Sequence, residues 1–224
     1  IPSSGEPSWN EGVYTAPTFE ADGYTTYTCT VCGETDVDVN EGSMLVGVAQ
    51  IGQQTYPTLA AAMAAVQNGE TIILLENNDE NIAYTQLKNV AFTIDGNGKT
   101  FSGEITITGT KKTTNDGTGL TFRNVNFVAD KNSMAFVYTV KSSFAKFITV
   151  ENCTFNANGY STVYGLYLRH AYDIVIKDTV VDGLYDIAYG QSAVTRLTAE
   201  NVTATNVTYG FWMPYGTEMN FKNL

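Results

Sequence analysis

From Phe92 onward, apolar residues fall at every second position in short stretches, the period of a strand with one buried face. In the stretch from Leu120 to Phe127 the apolar positions are Leu120 and Phe122, then Val125 and Phe127, so the alternation slips by one residue at Asn124. The same slip occurs at Asn152, between Ile148/Val150 and Cys153/Phe155, and at Asn201, between Leu197/Ala199 and Val202/Ala204. A period of 2 that slips at a fixed place keeps its apolar side chains inside only if the strand turns a corner there. The aligned corner residues are Gly96, Asn124, Asn152, Asp178, Asn201 and Asn223, three residue types that tolerate a left-handed backbone. They are spaced by 28, 28, 26, 23 and 22 residues, the length of one solenoid coil. A further strand follows in each coil, with Val137, Leu166, Ile187 and Phe211 aligned as its inward column.

These features predict an all-β chain whose residues 46–224 form a right-handed parallel β-helix. Val46 to Ile51 reads as a strand. Pro57-Thr58 starts a helix with Thr58 as its N-cap, and Leu59, Met63 and Val66 share one face. Asn68-Gly69 ends it, and Thr71 to Leu75 is a buried strand. The run Tyr56-Pro57-Thr58-Leu59, then Ala62-Met63, then Gly69-Glu70-Thr71-Ile72-Ile73-Leu74 resembles the opening of pectin-lyase-like β-helices. That resemblance implies that residues 46–76 cap the solenoid, the short amphipathic helix plugging an end that would otherwise expose unpaired backbone and core. It also implies that the stacked corner side chains form a hydrogen-bonded ladder.

Residues 1–45 differ: polar, spotted with aromatics and poor in apolar runs, they predict a small separate β module. Trp9-Asn10-Glu11-Gly12, Ala16-Pro17-Thr18, Asp22-Gly23-Tyr24 and Tyr27-Thr28-Cys29-Thr30-Val31-Cys32-Gly33 together resemble a cysteine-knuckle repeat. Such repeats stand in tandem on large cell-surface proteins of Gram-positive, often gut-dwelling, bacteria. A His usually precedes the Trp in that family, whereas Pro7 and Ser8 stand here. Cys29 and Cys32 supply two of the four ligands that zinc wants, and the other Cys (Cys153) and the single His (His170) lie far along the chain. Redox chemistry would need a helix after Cys32, but Gly33 to Val39 alternates like a strand. A structural disulfide or an incomplete knuckle therefore ranks ahead of zinc and of redox catalysis, and no cofactor is implied.

Charge narrows the partners. A net charge of −11 disfavours nucleic acid and anionic membrane surfaces, which reward clustered Lys and Arg. No run of about 18 apolar residues exists to cross a bilayer as a helix. The chain opens at Ile1 without Met and stops at Leu224, directly after a corner, so it is expected to be a fragment of a longer secreted protein, truncated within the solenoid.

Candidate chemistry is sparse. Charged residues that neighbouring coils would bring together are Arg169, His170, Asp173, Asp182, Asp186, Arg196 and Glu218, with Arg169, His170, Asp182 and Asp186 as the catalytic candidates. Hydrolysis of a glycoside needs two carboxylates in a groove, and the signatures of polygalacturonase-like hydrolases and of lyases are missing from the sequence. Alternation instead turns Tyr138, Tyr164, Tyr167, Tyr209 and Trp212 outward, where rings either stabilise stacked coils or cover the apolar faces of sugars. Asp95 to Gly98 and Asn115 to Gly119 read as turns, with too few carboxylates for a calcium site. Acceptor patterns stand at Asn152, Asn201 and Asn206, the first two at ladder positions and so by-products of the repeat, and Cys153 is a buried thiol acting as a small hydrophobe. The expectation is a non-catalytic extracellular surface module, adhesin-like or glycan-binding, whose partner is a polysaccharide or a host surface glycan or protein. A polysaccharide-degrading enzyme is the alternative and a structural spacer the second.

Overall fold

The computed structural model describes residues 7–110 and 116–224, so Asn115 lies outside the described residues. The chain divides into two compact units, residues 1–47 and 48–224. The first holds β1 (Val13–Thr15), β2 (Tyr24–Thr28) and β3 (Thr35–Val39) in an antiparallel sheet of that order. Its Cys29 and Cys32 thiols are free, and the Cys32 amide donates to Cys29 Sγ at 3.3 Å.

The second unit is a parallel β-solenoid of about six turns. It opens with the hairpin β4 (Ala49–Ile51) and β5 (Gln54–Tyr56), followed by α1 (Leu59–Ala65). The Thr58 hydroxyl caps α1 by accepting from the Ala61 amide, while Leu59, Ala62 and Met63 are buried. β4 pairs antiparallel with β6 (Thr71–Leu74) and so occupies its free edge.

The coils then run through β7 (Ile82–Thr85), β8 (Ala91–Asp95), β9 (Thr100–Phe101), β10 (Ile105–Thr108), β11 (Gly119–Arg123), β12 (Asn126–Val128) and β13 (Met134–Thr139). They continue through β14 (Ala145–Glu151), β15 (Thr154–Asn156), β16 (Val163–Leu168), β17 (Ala171–Asp182), β18 (Asp186–Gly190), β19 (Val194–Thr205), β20 (Gly210–Trp212) and β21 (Gly216–Lys222). One face stacks β6, β8, β11, β14, β17, β19 and β21, all parallel. A second stacks β9, β12, β15 and the far halves of β17 and β19. The third stacks β7, β10, β13, β16, β18 and β20.

Inward columns fill the solenoid. Phe101, Phe127 and Phe155 lie in register, the last two stacked at 4.6 Å, and the column narrows to the buried Val181 as coils shorten, with the exposed Ala204 next in register. On the third face the column is Ile105, Val137, Leu166, Ala188 and Phe211. Ala188, not Ile187, holds the inward register, because β18 pairs with β16 with Asp186 level with Tyr164 and Ala188 level with Leu166, and Ala188 then meets Phe211. Ile187 is nevertheless buried.

The corner ladder is real but broken. Asn124, Asn152, Asp178, Asn201 and Asn223 all have φ between 49° and 54°. Gly96 does not share that conformation; the left-handed residues of its turn are Asn97 and Gly98. Glycine is needed at 96 because a Cβ there would sit 2.4 Å from the Asn124 carbonyl oxygen. The Asp95 carboxylate takes its place, accepting from Asn124 Nδ2 at 3.1 Å. Asn152 Nδ2 then donates to Asn124 Oδ1, Asn201 Nδ2 to Asp178 Oδ1, and Asn223 Nδ2 to Asn201 Oδ1. Each rung donates backwards through an amide. An ionised Asp178 has no donor to offer Asn152, and no side-chain hydrogen bond joins the two among the described residues.

A second corner stacks Phe147, Asp173, Arg196 and Glu218, also left-handed, with φ between 51° and 57°. Inside the solenoid, the wholly buried Lys146 pairs with Asp116 at 3.0 Å. Its backbone amide donates to Gln86 Oε1 and its carbonyl accepts from Gln86 Nε2.

Asp178→Asn should restore the missing rung and raise stability by about 0.5–1 kcal/mol, read as a higher urea midpoint at unchanged slope. Lys146→Ala leaves the Asp116 carboxylate buried without this cation and should lose roughly 3 kcal/mol in the same titration.

Candidate functional site: an aromatic recess over a buried carboxylate

Tyr138, Tyr167, Tyr189 and Trp212 occupy one register position on consecutive coils of the third face. Period-2 geometry turns that position outward while Val137, Leu166, Ala188 and Phe211 turn in. Tyr138 and Tyr167 stack at 5.3 Å, and Tyr167 meets Tyr189 at 4.8 Å. Beside this column, Tyr164 meets Tyr167 edge-on at 5.3 Å and Tyr185 at 5.7 Å. Tyr185 meets Tyr209 at 5.0 Å, and Tyr209 meets Trp212 at 5.5 Å. Closely spaced edge-to-face pairs of this kind hold one another's orientation.

The rings enclose a recess of about 270 Å³ lined by Tyr164, Tyr167, Tyr185, Asp186, Tyr189, Tyr209 and Trp212. Asp186 is the one buried member of that lining, 1% exposed. It pairs in register with Tyr164 on one side and Gly210 on the other. Gly210 has no side chain, and a Cβ built there would meet nothing within 4 Å. Asp186 Oδ1 has no hydrogen-bond partner. Burial alone pushes the Asp186 carboxyl up to about 6. Burial also raises the Tyr164 and Tyr167 phenols, and the neighbouring Tyr209 raises that of Tyr185. These phenols are therefore uncharged at neutral pH, and the lining contains no cation.

The other charged candidates are used elsewhere. Arg169 Nη1 donates to the Tyr138 hydroxyl, at the edge of the aromatic face. His170 Nδ1 accepts from the Ser142 amide. Asp182 is held by the Thr205 hydroxyl and Asn206 Nδ2, and these keep its carboxyl below the usual range. Asp173, Arg196 and Glu218 stack at the second corner, Arg196 binding Asp173 and reaching Glu218 at 3.9 Å. Of the four catalytic candidates only Asp186 lines the recess, so the structure does not bring them together.

All five outward aromatics named from sequence lie on this face, four of them in the recess lining and Tyr138 beyond it. Tyr185 and Tyr189 were missed. The available signal was the spacing Tyr185-Asp186-Ile187-Ala188-Tyr189, but aligning Ile187 rather than Ala188 with Leu166 inverts the parity of that stretch. In the first unit, hydrogen bonding within the pair lowers the Cys29 thiol to about 7 and raises that of Cys32. No group of three or more His, Cys, Asp or Glu side chains converges among the described residues. No protein-family model, no curated protein and no solved structure matches the chain.

A carboxyl whose folded pKa is raised favours the folded state below the unfolded value, and that contribution is lost as pH rises through the folded one. Asp186 should therefore cost stability progressively between about pH 4 and pH 6. Asp186→Asn should be more stable than the parent at pH 7.5 by up to roughly 3 kcal/mol. The difference should vanish below about pH 4, measured by urea titration across pH.

Proposed function

We propose that this chain is a non-catalytic, extracellular, carbohydrate-binding surface module, with the aromatic recess on the third solenoid face as its binding site. One observation carries the reading: five tyrosines and Trp212 lie on or around a monosaccharide-sized recess on a parallel sheet face. Exposed rings cover the apolar faces of pyranoses, and phenol hydroxyls supply the polar contacts that fix orientation. The recess is small by the standards of drug-sized pockets, which suits one sugar residue or a chain end rather than a buried oligosaccharide. The resemblances to pectin-lyase-like solenoids and to bacterial cysteine-knuckle repeats support a place on a bacterial surface, facing a polysaccharide or host glycan.

Hydrolysis is the weaker reading. A carboxyl raised to about 6 has the character of a general acid, but the recess lining holds no second carboxylate to act as nucleophile or base.

The test is a glycan array with the purified chain beside Tyr189→Ala and Trp212→Ala. Binding to a defined sugar class by the parent, weakened at least about tenfold in both variants, is the expected result, since a stacked ring contributes on the order of 1–2 kcal/mol. Circular dichroism unchanged from the parent would show that the variants keep their fold. A folded parent that binds no sugar would sink the proposal.

A further inference from the structure

An aromatic recess for neutral sugars needs hydrogen-bond donors and acceptors at its rim, but it has no use for a buried, unpartnered carboxylate. Asp186 is such a group, and removing a carboxylate from water without a partner is unfavourable. No Lys, Arg or His stands in the lining to offset it. Arg169, at the edge of that face, donates through Nη1 to the Tyr138 hydroxyl and is not part of the lining. Gly210, its register neighbour on the next coil, adds no side chain to that side of the recess. Around this single negative group stand electron-rich ring faces, which attract cations through their quadrupoles. Every feature of the recess therefore asks for a positive charge, and the net charge of −11 draws cations toward the protein from a distance.

We infer that the sugar recognised here carries a protonated amine, as in a 2-amino-2-deoxyhexose, with the ammonium group placed against Asp186 and the pyranose ring between Tyr189 and the Tyr209–Trp212 pair. This rests on the carbohydrate-binding reading above and narrows it. The ammonium would make the charge-assisted hydrogen bond that Asp186 lacks, and the tyrosine faces would shield it from water. An N-acetylated sugar of the same shape has no charge to give and would leave the carboxylate desolvated and unpaired.

The experiment is isothermal titration calorimetry on the whole chain near pH 6.5, where the sugar amine is largely protonated. The titrants are methyl 2-amino-2-deoxy-glucoside, its N-acetyl counterpart, the parent methyl glucoside and choline. The amino sugar should bind at least about tenfold more tightly than the two neutral sugars, the margin of a hydrogen bond to a charged group. Asp186→Asn should abolish that preference while Tyr189→Leu weakens all three sugars together. Because removing a buried charge should not unfold the chain, Asp186→Asn separates loss of recognition from loss of structure, and its urea midpoint confirms this.

Neutral sugars binding as tightly as the amino sugar, or a preference for the amine that survives Asp186→Asn, would overturn the inference and leave the carbohydrate-binding function standing. Choline binding with no sugar bound would overturn both, and would redefine the recess as a cage for alkylammonium groups. No binding of any titrant would overturn the inference, and the glycan array then decides the carbohydrate-binding function.

Discussion

Everything in the solenoid depends on one constraint: the backbone hydrogen bonds of its parallel strands run between a coil and its immediate neighbours. A parallel strand must find its partners about 4.8 Å above and below, so each residue is held over its counterpart on the next coil. Register then propagates through the stack. Phe127 lies over Phe155 because β12 lies over β15, and Tyr138, Tyr167, Tyr189 and Trp212 line up for the same reason. The coil shortens from 28 residues to 22 along the chain, and the buried second-face column shrinks from phenylalanine at Phe155 to valine at Val181. Interior space and side-chain volume stay matched, as close packing demands.

How much of this could be read beforehand depended on whether a residue type announces its own conformation. Asn124, Asn152 and Asn201 did, since asparagine at a parity slip has few other reasons to be there. The second corner did not: Phe147, Arg196 and Glu218 are left-handed because the stack holds them so, and nothing in those side chains asks for it. Gly96 was legible as special but for the wrong reason; it makes room for the next coil rather than turning a corner. Lys146 shows the limit more sharply. A buried lysine is intelligible only with Asp116 and Gln86 around it, and those lie 30 and 60 residues away.

The recess was half legible. Outward tyrosines followed from alternation, but the alignment put Ile187 where the structure carries Ala188, and with that shift Tyr189 lost its outward place beside Tyr167. Ile187 and Ala188 are both buried, so strand pairing and not periodicity decides which of them meets Leu166. Asp186 lies in register between Tyr164 and Gly210, with rings standing on both sides of it.

The interrupted Asn ladder has a bearing on cohesion. In a stack whose stability is a sum of neighbour interfaces, the missing rung removes one contact from one boundary, where the Glu151–Lys177 ion pair at 2.7 Å stands beside the gap. That boundary lies between the coil of Asn152 and that of Asp178. Tyr164 and Tyr167 belong to the coil before it, and Asp186, Tyr189, Tyr209 and Trp212 to the coils after it. A molecule seated among those rings touches both sides at once and acts as a removable staple. Its binding free energy is at the same time cohesion between the two halves of the solenoid.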